Sequence, residues 1–290
     1  MDVIAVFGPT ASGKTAVAEL LADRLGTEVV SADALQVYRE LPILTNQPER
    51  PTRLVGIRSV AEEMSVGAYA PLAHAAVDEL VAATGSAVLA GGTGLYLRAA
   101  LADLQVPPPA PAGRRETLER EYDESRVRAH ERLARLDPAA AAVVHPNDRR
   151  RVVRALELAE SGASLAPAES HLWMGETRWP SLVVGLELGR EELERRIRAR
   201  TESMLVQGVR DEVRRAVEQG VSRTAETALG LRELVELPAA EAVERIVVRT
   251  RQYAAYQRKW MRRIPGLVAV DAARSAHEVA DEILEVARAR

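Results

Sequence analysis

Gly8, Pro9, Thr10, Ala11, Ser12, Gly13, Lys14 and Thr15 spell GPTASGKT and fit the pattern G-x-x-x-x-G-K-[ST] at every fixed position. In such a loop, glycines let successive backbone N–H groups converge on an anion, and the helix that follows adds its partial positive N-terminus. The lysine bridges phosphate oxygens, and the Thr15 hydroxyl can reach a Mg²⁺ ion. Of 39 basic residues only Lys14 and Lys259 are lysines. The slot wants a compact ammonium, for which a planar guanidinium fork is a poor substitute, so the lysine here is a specific signal. The pattern predicts phosphate binding and says nothing about what the phosphates are attached to.

Other residues could do chemistry beside that loop. Asp33 ends the run TEVVSAD at 27–33. A carboxylate there can bind Mg²⁺, accept a proton from a nucleophile, or cap a helix beginning at ALQVY. AGGTG at 90–94 lets backbone approach something closely and offers Thr93 as a donor, or is a tight strand-to-helix turn. HPNDRRRVVRALEL sets Arg149, Arg150, Arg151 and Arg154 at the start of a helix; they form a solvated face or a grip for an anion. Arg196 and Arg200 are four apart on one helix face, placed either to clamp a phosphate or, for Arg196, to pair with Glu192. The third run ends in AGGTG rather than in the aspartate that would give a second Mg²⁺ ligand, which argues against an ordinary ATPase.

These groups need a scaffold, and the hydrophobic pattern supplies one. VIAVFG at 3–8, TEVVSAD at 27–33, SAVLAGGTG at 86–94, SLVVGLEL at 181–188 and LVAVDA at 267–272 are short apolar runs that read as strands. Helical stretches such as TAVAELLADRL lie between them. This alternation predicts an α/β fold with a mostly parallel sheet, whose ligands gather at the carboxyl ends of the strands. Gly8, Asp33 and Gly92 all fall at such ends. VPPPAPAG at 106–113 breaks the pattern, and charged helix follows from Arg114 to about Glu160. SGASLAPAES then interrupts the helical pattern. The expected division is a core over 1–104, a helical insertion over 105–178, and a second core part with C-terminal helices over 179–290. The region 190–260 should be helical, with breaks near Gly208, Gly220 and Pro238.

Composition sets the outer bounds. The chain has 290 residues, 47% of them hydrophobic and 28% charged, enough to bury a sizeable core. It has no cysteine, which excludes disulfides, thiolate metal sites and cysteine nucleophiles. His74, His130, His145, His171 and His277 show no metal-ligand spacing. A net charge of −3 argues against coating nucleic acid but leaves room for a local basic groove. Met1 and Asp2 lead straight into the first strand without a targeting segment, so the expectation is a cytoplasmic protein with no membrane partner.

GPTASGKT, SADALQVYR, AGGTGLYLRAAL, HPNDRRRVVRALEL, RRIRARTESMLVQGVRDEV and TRQYA occur in the order and spacing of one family. Over essentially its whole length the chain resembles the tRNA dimethylallyltransferases, which prenylate the N6 amine of the adenosine just 3′ of the anticodon. The resemblance implies a P-loop kinase-like core with a helical insertion, and a monomeric transferase working in tRNA modification. It further implies that the loop holds the diphosphate of dimethylallyl diphosphate, a leaving group, through Thr10 to Thr15. Lys14 and Arg200 would neutralise that group as it departs. Asp33 corresponds to the general base, and Asp33, Ala34, Leu35 and Gln36 to a tRNA-contacting segment. Thr93 corresponds to a contact with the target nucleotide. Arg115 and the stretch Arg150, Arg151, Val152, Val153 and Arg154 correspond to other tRNA contacts. The adenine amine is inaccessible inside a stacked loop, so the base should be flipped out.

The chain departs from the family pattern in four places: LTNQP at 44–48 for the usual GTAKP, TRLVGI at 52–57 for HHLLDI, ALGLRE at 228–233 for an IGYKE-like segment, and YAAYQRKW at 253–260 for YAKRQ-x-TW. None of these is expected to touch Lys14, Asp33, Thr93 or Arg200; they bear on tRNA selectivity and catalytic efficiency. Two other functions fit the same residues. A small-molecule kinase would use the loop and Asp33 to transfer phosphoryl from ATP without a polynucleotide. A divergent RNA-binding relative would hold tRNA without transferring a prenyl group.

Overall fold

A computed structural model describes residues 1–104, 111, 113–165 and 176–290. Most of the proline-rich stretch 106–113, the residues of SGASLAPAES from Ala166 onward, and His171 lie outside the described residues. The chain divides into two compact units, one formed by Met1–Leu104 with Gly175–Arg290 and the other by Gln105–Met174.

The larger unit is built on five parallel strands: β1 (Val3–Phe7), β2 (Val29–Ser31), β3 (Ala87–Gly91), β4 (Ser181–Glu187) and β5 (Val268–Asp271). Their order across the sheet is β2-β3-β1-β4-β5. β1 lies in the middle, with Phe7 opposite Gly91 on one side and Gly185 on the other. Every residue of its VIAVF is buried, as a continuous apolar run covered on both faces requires. Each strand falls inside the run that predicted it. β2 is much shorter than TEVVSAD, because Thr27 turns its hydroxyl onto the Ser86 carbonyl and Asp33 has already left the sheet.

In chain order this unit has α1 (Lys14–Leu25), α2 (Pro42–Thr45), α3 (Val66–Thr84) and α4 (Gly94–Leu101). The smaller unit has α5 (Arg114–Glu124), α6 (Arg126–Leu136), α7 (Pro138–Val143) and α8 (Arg149–Glu160). The larger unit resumes with α9 (Arg190–Val206), α10 (Val209–Glu218), α11 (Leu231–Glu236), α12 (Ala239–Met261) and α13 (Ala276–Arg288). Alternate residues Ile4 and Val6 of β1 pack with Val17 and Leu21 of α1, Ile197 of α9, Val247 of α12 and Ile283 of α13 in one apolar cluster. Burying Leu21 completely is worth about 2 kcal/mol. α13 starts with a full capping box between Ser275 and Glu278. α1 starts differently: its N-cap Gly13 makes no side-chain bond and its first turn holds no acidic residue, so its N-terminal N–H groups are left for a ligand.

The smaller unit has its own core, in which Leu118, Leu133, Val152, Val153 and Leu156 are almost fully buried. Aspartates cap two of its helices: Asp137 accepts from the Ala140 N–H and Asp148 from the Arg151 N–H. The helix expected to begin at ALQVY is not formed: between Ala34 and Glu40 the chain runs through bends, turns and an isolated bridge at Tyr38. Asp33 therefore caps no helix, and its Oδ1 instead accepts from the Leu35 N–H at 3.0 Å in a local turn.

Candidate active site at the carboxyl ends of the strands

The loop after β1 takes its shape from three small residues. A Cβ on Gly8 would lie 2.9 Å from the Ser12 Oγ and 3.2 Å from Leu186. Gly13 has φ 89° and Ala11 φ 64°, so the chain is left-handed twice within three residues. Such alternation turns successive N–H groups inward as an anion nest, and a non-glycine at Ala11 holds local strain at that point.

Cations meet at this loop from two elements. Lys14 Nζ donates to the Pro9 carbonyl at 2.8 Å. Burial pulls its pKa down to about 8, with nearby Asp33 acting to raise it and Arg200 to lower it further. Arg200, on α9, donates to the Thr10 hydroxyl at 3.0 Å. Burial brings its pKa down to about 10, partly offset by Asp33. Arg196, one turn earlier, is held by Glu192 at 2.6 Å and reaches within 3.8 Å of the Cβ position that Gly13 lacks. The Glu192 pairing and the approach to the loop are thus both real for Arg196.

Asp33 faces the same space. Its charge acts on Lys14 and Arg200, and it contributes to the raised pKa values of Tyr69, Tyr96 and Tyr253, in each of which burial is the larger cause. Ala34 and Leu35 are half-exposed in the turn that follows. Gln36 is fixed on three sides: Ser31 donates to its Oε1 at 2.8 Å, its Nε2 donates to the Asn46 carbonyl at 2.9 Å, and Gln47 donates to its backbone carbonyl at 3.0 Å. Thr93 occupies the N-cap of α4 but makes no capping bond there; its hydroxyl lies 3.5 Å from that of Tyr253.

The glycines of AGGTG are explained by the protein's own packing. A Cβ on Gly91 would lie 2.1 Å from the Ala32 carbonyl oxygen, one on Gly92 2.2 Å from Gln257 Nε2, and one on Gly94 2.6 Å from the Trp260 ring. Helix α12 therefore lies directly against the turn that carries Thr93. Gln257, in that helix, accepts from the Thr10 N–H and donates to the Gly92 carbonyl, both at 2.8 Å. The segment YAAYQRKW was expected to leave the site untouched, yet its Tyr253 meets Thr93 and its Gln257 meets the phosphate loop. No local signal in the sequence marks this glutamine, because its partners lie 247 and 165 positions away. The departures at 44–48 and 228–233 also meet each other, since a Cβ on Gly230 would lie 3.2 Å from Leu44. Glu212 accepts from the Ile43 and Leu44 N–H groups at 2.8 Å beside them.

In the smaller unit the expected tRNA-contacting residues separate into three kinds. Val152 and Val153 are core residues, so their side chains are unavailable to RNA; the periodicity of α8 that makes Arg151 and Arg154 outward makes these valines inward. Arg154 pairs at 3.0 Å, and Arg115 at 3.6 Å, with Glu157, whose side chain is 2% exposed. Arg150 and Arg151 are exposed. Arg151 sits 3.7 Å from Asp148, and no ion pair of Arg150 occurs among the described residues. Those two cations are the ones presented to solvent.

Among the described residues no group of three histidine or acidic side chains could hold a metal ion. Thr15, half-buried in the first turn of α1, suits an ion that arrives with phosphate oxygens supplying most of its ligands. Among the described residues, no helix is long and apolar enough to cross a membrane.

The family described as IPP transferase matches residues 36–264, and that described as isopentenyl transferase matches residues 1–60. A tRNA dimethylallyltransferase of Anaeromyxobacter dehalogenans is 40% identical over 281 residues, 92% of this chain and 94% of its own. The crystal structure of a tRNA isopentenylpyrophosphate transferase from Bacillus halodurans is 28% identical, with a TM-score of 0.71 over 99% of this chain and 96% of that one. A eukaryotic dimethylallyltransferase acting on tRNA gives 25% identity and a TM-score of 0.75, covering 93% of this chain and 74% of that one. The likeness runs through both the phosphate loop and the rest of the chain: it belongs to the tRNA dimethylallyltransferase, or IPP transferase, family.

Proposed function

We propose that the protein transfers a dimethylallyl group from dimethylallyl diphosphate to N6 of the adenosine 3′ of the anticodon in tRNA, acting as a cytoplasmic monomer. The observation that carries this reading is the meeting of Lys14, Arg200 and Asp33 at one loop, with Arg200 anchored on Thr10 at 3.0 Å. Two buried cations with a carboxylate close enough for its charge to act on both suit a reaction that releases an anion and a proton.

The diphosphate sits in the nest of Thr10 to Thr15. As the bond between the allylic carbon and the diphosphate oxygen breaks, Lys14 and Arg200 balance the negative charge left on that oxygen. The N6 nitrogen forms the new bond to the same carbon and loses a proton, which Asp33 accepts through the carboxylate oxygen not engaged by Leu35. Thr93 orients the acceptor. Thr15 is the residue that would hold a Mg²⁺ ion arriving with the diphosphate, and such an ion would supply further charge neutralisation. Arg150 and Arg151 grip the tRNA backbone, while Arg115 and Arg154 support that face through Glu157.

The test is incubation with Mg²⁺, labelled dimethylallyl diphosphate and an unmodified tRNA whose anticodon ends in A, with AMP and ATP as control acceptors. Label in the tRNA alone is the expected result. Label in AMP or ATP would move the acceptor to free nucleotides. Tight tRNA binding without label would leave an RNA-binding relative, and ATP turnover without tRNA would indicate a kinase.

A further inference from the structure

Gln257 is 2% exposed and both ends of its amide are engaged. Its Oε1 accepts from the Thr10 N–H and its Nε2 donates to the Gly92 carbonyl, each at 2.8 Å. A backbone N–H only donates and a carbonyl only accepts, so the amide orientation is dictated by its partners; flipped, it would set donor against donor and acceptor against acceptor. Gly92 has no room for a Cβ because this amide lies against it. On the same helix face, Tyr253 reaches Thr93 at 3.5 Å. On the far side of Thr10, its hydroxyl accepts from Arg200. A continuous set of contacts thus runs from Arg200 through Thr10 and Gln257 to Gly92, the neighbour of Thr93.

We infer that Gln257 is a positioning residue that ties the phosphate loop to the Thr93 turn, so that filling the loop with diphosphate fixes the hydroxyl that orients the acceptor. This rests on the assignment of the two loops to donor and acceptor. The tie works because both loops end neighbouring parallel strands and a single buried amide is the right length to span them. A diphosphate in the nest restrains the Thr10 backbone, and the restraint passes to Gly92 because an unsatisfied buried amide is costly.

Hydrogen–deuterium exchange with inorganic diphosphate reads the tie without any turnover. In the natural protein, exchange should slow in peptides covering 8–15 and also in those covering 91–97. In Gln257→Met, which fills the same space without polar atoms, slowing should stay within 8–15. Gln257→Glu keeps the acceptor for Thr10 and loses the donor to Gly92, and should behave in the same way. In single-turnover prenyl transfer both variants should lose about 10- to 100-fold in kcat with donor KM within about threefold, the signature of misplacement rather than lost binding. Slowing confined to 8–15 in the natural protein, or unchanged spread and rate in folded Gln257→Met, overturns the tie. If the natural protein transfers no prenyl group, the functional reading fails while the exchange result still decides this one. Should either variant prove unfolded by melting, the natural protein's exchange pattern alone supports or overturns the tie.

Discussion

Arg200 donates to the Thr10 hydroxyl at 3.0 Å, which places a guanidinium from the second half of the chain on the loop that begins it. The cation is buried enough for its pKa to fall to about 10, so its charge is maintained against a desolvation cost. Its positive charge is in position before an anion arrives, so an anion bound in the loop would meet it without reorganisation.

Lys14→Ala and Arg200→Ala should each slow single-turnover prenyl transfer by about 100-fold, about 3 kcal/mol of transition-state stabilisation. Arg200→Ala also removes the donor to Thr10. A variant that transfers at the natural rate removes its residue from the mechanism.

The lowered pKa of Lys14 gives a pH dependence with a definite sign. In the free protein the ammonium deprotonates near pH 8, and only the charged form attracts diphosphate. Affinity for inorganic diphosphate should therefore fall as pH rises through about 8, with proton uptake on binding above it. Stability moves the other way. The unfolded chain, with a lysine pKa of 10.5, holds the extra proton between about pH 8 and 10.5, so this residue's contribution to folding rises across that window. Calorimetric titration in buffers of different ionisation heat, with melting curves alongside, checks both signs; Lys14→Met should abolish both.

Asp33→Asn keeps an oxygen for the Leu35 N–H but cannot accept the proton from the adenine amine. The expected result is a rate loss of about 10² to 10⁴ with an unchanged melting temperature and tRNA affinity. Asp33→Ala should lose the same activity and also about 1 kcal/mol of stability with the turn bond. Full activity in Asp33→Asn would remove the base from the mechanism.

Arg150→Ala with Arg151→Ala should weaken binding of all substrate tRNAs alike and reduce the salt dependence of affinity, leaving donor binding and stability unchanged. Arg154→Ala should differ, because it withdraws a partner from the buried Glu157 carboxylate and so lowers stability, by about 1 to 3 kcal/mol. Filter binding over a salt series and melting curves on both variants separate the roles. A salt slope unchanged in the double variant would mark those arginines as an ordinary solvated face.

Local signals in the sequence were sufficient for what depends on a few adjacent residues. The strands were legible because short apolar β-branched runs bury both faces of a parallel sheet, and the phosphate loop because its glycines, lysine and threonine act within eight positions of one another. The breaks at Gly208 and Pro238 followed from backbone restrictions that need no partner. Asp33 was visible as a strand-end carboxylate, but the ALQVY stretch was not: its apolar spacing suggested a helix, and the turn instead spends its hydrogen bonds on Gln36, Asn46 and Gln47.

Only the tertiary structure decided which side chains meet. Gln257 and Thr10 are bonded across 247 positions of sequence, and no local propensity encodes such a pair. The same holds for the glycines at 91, 92 and 94, whose missing side chains answer to Ala32, Gln257 and Trp260 rather than to a ligand. Within α8 the sequence placed Arg150 to Arg154 on a helix, while packing turned Val152 and Val153 into the core, tied Arg154 to Glu157 and left Arg150 and Arg151 in solvent. Residue type and spacing fix what a side chain can do chemically, but direction and burial are set by the elements packed against it, and those come from distant parts of the chain.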